Sequence, residues 1–159
     1  MMVVLDATAG NRMMWPNKNP PNIIFMDKEI DLRIPPDIIC VWEYLPFRDE
    51  VFFNVIFDPP HMRLGRTSRY RDPKGVTSHG TWWGFVKNKP DLIRSTMKAQ
   101  KEFSRVSTRL SFKWNETHYK LYEILKCFMD WVLVDKREYV SNKKHGKSKT
   151  WWLRFIKSS

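Results

Sequence analysis

The sequence predicts an α/β fold: a mostly parallel sheet, with helices reduced early in the chain, finished by an antiparallel hairpin. Three observations predict it. Four short apolar runs occupy the first part of the chain without the polar alternation of a half-exposed strand, and acidic or small residues gather at their carboxyl ends. Such runs suit strands buried on both faces. Helical spacing begins only after these four runs, beyond residue 80. The chain then closes on two strand-like runs separated by a polar loop, most simply a hairpin.

The elements follow in order. The first strand is Met1–Leu5, stopped by Asp6 and the small-residue turn DATAGN. The second is Asn22–Asp27, the third Asp37–Val41 and the fourth Val51–Asp58. Only nine residues, 28 to 36, separate the second run from the third. A helical crossover needs roughly ten to twelve or more, so a helix is lost there or the link is an extended loop. A polar loop spans Met62–Gly80. Helical spacing covers much of Trp82–Val106, with Pro90 and Asp91 opening its better-formed part. Thr108–Glu116 reads as a strand and Thr117–Phe128 as an amphipathic helix capped by Thr117. Met129–Ser141 and Thr150–Lys157 form the hairpin around the loop Asn142–Lys149.

The 159 residues suit one domain without a separate target-recognition unit, and 42% hydrophobic residues with 14% aromatic ones suit a packed core. No run approaches the roughly 18 apolar residues of a membrane span. The opening stretch is too short and too soon acidic for a secretory signal. Cys40 and Cys127 lie in apolar runs and read as buried free thiols, which suits a cytoplasmic location. The formal net charge is +11 and points to a polyanionic partner. Met62–Arg105 holds eleven Lys/Arg against three Asp/Glu, and Lys136–Ser159 holds eight against one. Two concentrated basic segments on a slightly acidic body predict a nucleic-acid face rather than scattered solvated lysines. Its candidates are Arg63, Arg66, Arg69, Arg71 and Lys74 in the loop, with Lys143 and Lys144 in the hairpin.

Three polar clusters fall at strand ends. In the first, Asp6, Ala7, Thr8, Gly10 and Asn11, small residues let the backbone approach a ligand and Gly10 can take a positive φ. The second is Asp27 with Lys28; an acid at this place accepts hydrogen bonds from a ribose diol. The third is Asp58-Pro59-Pro60-His61, where two prolines fix φ and give up two amide donors. Along one sheet edge, the first two make a nucleoside pocket and the third sets a carboxylate beside it. The scattered histidines and cysteines have no zinc spacing. Lys113 reads either as a solvated lysine or as a phosphate contact. Trp82-Trp83 and Trp151-Trp152 read as packing, with one ring of each pair free to stack on a base.

In order, LDATAGNRMMW, the acid after the second strand, LPF, FDPPH and FKWNE resemble a class I S-adenosylmethionine-dependent methyltransferase. The likeness is greatest to small bacterial and phage DNA or RNA methyltransferases. It covers roughly Val3–Glu116 and implies a Rossmann-like sheet with S-adenosyl-L-methionine as cofactor. The DPPH turn is similar to the Asp-Pro-Pro-aromatic motif of amino-methyltransferases. That likeness implies that Asp58 and the Pro59 carbonyl accept both hydrogens of an exocyclic base amine, while His61 stacks on the flipped base. Relatives place an acid a few residues before LPF to hold the adenine amine. CVWEYLPF instead places Val41 or Trp42 there, with Glu43 shifted and Trp42 able to stack. The helix that often packs over the methionine moiety has no counterpart before the first strand. The implied activity is methylation of adenine in DNA, with an RNA base methyltransferase or a non-catalytic nucleic-acid-binding relative as alternatives. Target choice would fall to the loop, the basic helix and the hairpin, or to a second subunit in a homodimer or other pair.

Overall fold

A computed structural model describes residues 2–63, 85–86, 88–143 and 146–159. Its elements are β1 (Val4–Asp6), β2 (Ile23–Asp27), β3 (Ile38–Ile39), β4 (Asn54–Phe57), β5 (Met62–Arg63), β6 (Phe85–Val86), α1 (Lys89–Val106), β7 (Arg109–Asn115), α2 (Leu121–Leu125), β8 (Trp131–Lys143) and β9 (Gly146–Lys157). A seven-stranded sheet runs β3-β2-β1-β4-β7-β9-β8, and β5 pairs with β6 in a separate ribbon. β1 to β4 and β7 are parallel, while β9 is antiparallel to both its neighbours. The expected α/β sheet and terminal hairpin are therefore present. The return strand β9 inserts between β7 and β8, leaving β8 at the edge.

Strand order reverses between β1 and β4, and in open α/β sheets the ligand crevice lies at the carboxyl ends of such a pair. No helix occupies either connection, β1 to β2 or β2 to β3. Arg12 takes over part of their work. Its buried guanidinium donates to the carbonyls of Lys18 (2.7 Å) and Pro35 (2.9 Å) and to Asn19 Oδ1 (2.7 Å). It also lies 4.0 Å over the Phe25 ring, which Trp15 meets edge-on. One side chain thus ties both connections to the sheet.

Both described helices pack on one face. Leu5, Val55, Phe57, Leu110, Phe112, Trp114, Leu153 and Phe155 form the buried strand side of that core. Phe57 sits at its centre, with ring centroids of Phe103 on α1 at 4.9 Å and Trp42 at 5.5 Å. The opposite face of β4 and β7 carries Asn54, Ile56, Ser111 and Lys113, all half-buried. β4 thus alternates instead of being buried on both sides, because neither described helix covers the second face.

α1 begins as expected. Asn88 Oδ1 accepts the Asp91 amide at 2.8 Å, Pro90 stands in the first turn, and Arg105 lies in the last. Phe85 and Val86, read within the helical stretch, belong instead to β6. The helix expected over Thr117–Phe128 shrinks to Leu121–Leu125, and Thr117 is not its cap. The Thr117 hydroxyl turns back to Asn115 Oδ1, while Glu116 Oε1 accepts the Leu121 amide at 2.7 Å and Glu123 Oε2 the Lys120 amide at 2.8 Å. Much of the expected hairpin loop is strand, because ladder pairing continues from Trp131↔Lys157 to Lys143↔Gly146. Cys127 is buried, but Cys40 is half-exposed just beyond the short edge strand β3. No described helix is long and apolar enough to cross a membrane.

Candidate active site

The parallel strands deliver Asp6, Asp27 and Asp58 to one sheet edge, Asp6 and Asp27 as the last residues of β1 and β2 and Asp58 just past β4. The DATAGN loop joins the three. The Thr8 hydroxyl accepts the Asp58 amide at 2.7 Å, and the Gly10 amide donates to Asp27 Oδ2 at 2.8 Å. The Ala7 and Ala9 amides donate to the Ile56 and Met26 carbonyls at 2.9 and 3.0 Å. Gly10 adopts φ 49°, which a residue without Cβ takes most easily. Asn11 acts from farther along, its Oδ1 accepting the Ile34 amide at 3.3 Å.

Asp6 is completely buried. Burial pushes its carboxyl up to about 6, against the lowering effect of hydrogen bonds from the Trp15 indole (2.7 Å) and the Thr8 amide (3.1 Å). The neighbouring Asp58 and Asp27 charges raise it further. Asp6 therefore orders the loop. Asp27, with only 8% of its surface exposed, also receives the Glu29 amide on Oδ1 at 3.0 Å.

Trp42 and Glu43 stand beside this edge. The Trp42 indole donates to Ser95 Oγ on α1 at 2.7 Å, and the Ser95 hydroxyl donates to Glu43 Oε1. Lys28 Nζ lies 5.9 Å from the Trp42 ring centroid, linking this ring to the residue after Asp27. α1 also clamps the LPF segment: Glu102 Oε2 accepts the Leu45 amide, while Arg105 donates to the Leu45 and Phe47 carbonyls. Arg105 holds the Glu102 carboxyl below the usual carboxylate range.

At the DPPH turn, Pro59 is buried and Pro60 half-buried. Asp58 Oδ2 is 2.7 Å from Lys113 Nζ, an ion pair whose side chains are 21% and 29% exposed. The His61 ring lies edge-on to Trp114 at 6.0 Å. Desolvation lowers the His61 pKa, leaving the imidazole neutral near pH 7. The carboxylate assigned to a target amine thus already has an internal partner in Lys113. It retains further lone pairs.

The structure brings together Asp6, Ala7, Thr8, Gly10, Asp27, Asp58, Pro59, Pro60 and His61, with Lys28, Trp42 and Glu43 alongside. Arg66, Arg69, Arg71, Lys74 and Lys144 lie outside the described residues, as does the loop stretch 64–84. Arg63 is in β5 and Lys143 ends β8. Sequence reasoning missed Trp15, Arg12 and Ser95, because each acts through a contact between distant segments. Lys113 carried a signal, its place in FKWNE, but its carboxylate partner is 55 residues away in the chain. Among the described residues there is no group of three or more metal-ligating side chains.

No family model matches the chain, and no curated protein does either. Among solved structures, it is similar to the 16S rRNA (adenine(1408)-N(1))-methyltransferase from Catenulisporales acidiphilia, in its W203A mutant. The TM-score is 0.54 at 11% sequence identity, over 99% of this chain and 86% of that one. The likeness establishes that the chain has the fold of a methyltransferase.

Proposed function

We propose that the protein transfers a methyl group from S-adenosyl-L-methionine to an amino nitrogen of a nucleic-acid base, with adenine as the target. The observation that carries this reading is the hydrogen-bonded edge formed by Asp6, the DATAGN loop, Asp27 and Asp58 where the strand order reverses. The donor set fits the cofactor. Asp27 offers acceptor oxygens to a ribose diol, the Trp42 ring offers a plane to adenine, and Asp6 and Asp58 set negative charge beside a cationic sulfonium. When bound, the cofactor supplies an electrophilic methyl group. Asp58 accepts one amine hydrogen and the Pro59 carbonyl the other, which turns the nitrogen lone pair toward that methyl. The sequence favoured DNA; the similar rRNA enzyme makes RNA the preferred strand.

A second reading, a non-catalytic nucleic-acid binder, draws on the Lys113–Asp58 ion pair, which occupies the carboxylate that catalysis requires. One substitution separates the two. Asp58→Ala leaves the loop's anchors Asp6 and Asp27 intact, so calorimetry should find S-adenosylhomocysteine bound about as tightly as by wild type. Methyl transfer should fall roughly 10²- to 10³-fold or more, because the lost contact strengthens in the transition state. Wild type that binds the product but transfers no methyl, with nucleic-acid affinity indifferent to Asp58, would leave the binder standing.

A further inference from the structure

We propose that the open face of the β7–β9–β8 half-sheet is a track for single-stranded nucleic acid leading away from Asp58. Pairing in the two antiparallel ladders sets Lys113 opposite Trp152 and Trp152 opposite Arg137, while Arg154 lies one rung away, opposite Asp135. Cross-strand partners share a face, and here it is the one opposite α1 and α2. Lys113 forms the junction with the candidate site. Its ammonium is 2.7 Å from Asp58 Oδ2 and 5.8 Å from the Trp152 ring centroid.

This face is exposed. Arg137 and Arg154 side chains are 63% and 62% accessible, and Tyr139, opposite Thr150 at the far end, is 55% accessible. Its cations are Arg109, Lys113, Arg137 and Arg154, while Asp135 is the acid both hairpin arginines share. Charge complementarity selects a polyanion. The interleaving of rings with cations selects an unpaired strand, since aromatic platforms on a flat sheet stack on splayed bases while cations hold the phosphates. A membrane or protein partner would be met by a contiguous apolar patch, whereas here the exposed apolar pair Val132 and Ile156 is confined to the Arg109 end, and Trp152 and Tyr139 stand among Lys113, Arg137 and Arg154.

The inference builds on the proposed methyl transfer, but it is tested by binding without cofactor, so either can fail alone. The experiment is fluorescence anisotropy of a labelled oligouridine of about a dozen nucleotides, within the usual site sizes. Arg137→Ser with Arg154→Ser should weaken binding about tenfold or more and flatten the salt dependence by roughly 1.4 log units per log unit of salt. Lys136→Ser with Lys149→Ser removes the same charge from the helix-facing side, where both lysines approach Trp151, and should change affinity much less. Trp152→Ala should cost about 5- to 100-fold and Trp152→Phe far less. If Trp152→Ala does not fold, the paired arginine and lysine variants decide. Equal losses from both faces, tighter binding of a duplex than of the single strand, or no loss from the arginine pair would overturn the proposal.

Discussion

Asp6 shows how one buried carboxyl sets a testable pH dependence. Its folded pKa of about 6 lies above the ordinary 3.8, so folding disfavours its ionised form. The stability it contributes is fully present below the unfolded pKa and is lost as pH rises through about 6, a loss on the order of 3 kcal/mol. Asp6→Asn cannot ionise, although it leaves the Trp15 or Thr8 donor without an acceptor at every pH. Urea unfolding should therefore show the stability of wild type falling relative to Asp6→Asn by roughly 2 kcal/mol between about pH 4 and pH 7. Parallel profiles would show that Asp6 is not titrating there. The position of Asp6 was legible in the sequence, because the apolar run ends on it. Its burial was not, since the covering side chain, Trp15, sits in a connection with no periodic pattern.

At the scale of elements, α1 both supports the fold and places the site. Asn88→Ala removes the cap and should cost about 1 kcal/mol of stability with little change in ligand affinity. Ser95→Ala should cost about as much stability but weaken ligand binding as well. It deletes the hydrogen bond that holds Trp42 and the one to Glu43, so S-adenosylhomocysteine should bind several-fold more weakly at a stability loss near 1 kcal/mol. Thermal unfolding and calorimetry on both variants check the split, and a Ser95→Ala protein with unchanged affinity would remove Trp42 from the site. The start of α1 was legible from Pro90 and Asp91, whose chemistry is local. The shortness of α2 was not, because Glu116 and Glu123 compete with Thr117 for its first turn in a way that spacing alone does not reveal.

Across the whole molecule, acidic residues at strand ends made the candidate edge readable before the strand order was known. Parallel strands send all their carboxyl ends the same way, so Asp6, Asp27 and Asp58 had to share an edge once the strands were parallel. The insertion of β9 between β7 and β8 could not be read this way, since a hairpin's own pattern does not say which of its strands meets the sheet. Nor could the Lys113–Asp58 pair, which depends on β4 and β7 being neighbours. That neighbourhood sets a lysine against the carboxylate on which the proposed methyl transfer depends. The most direct measurement is incubation of the protein with methyl-labelled S-adenosyl-L-methionine and, in parallel, RNA and DNA, followed by nucleoside mass spectrometry. The account predicts label on an amino-methylated adenosine, greater from RNA than from DNA, and falling roughly 10²-fold or more in Asp58→Ala. A folded wild-type protein that labels no nucleoside from either polymer, or an Asp58→Ala protein that labels as well as wild type, would contradict it.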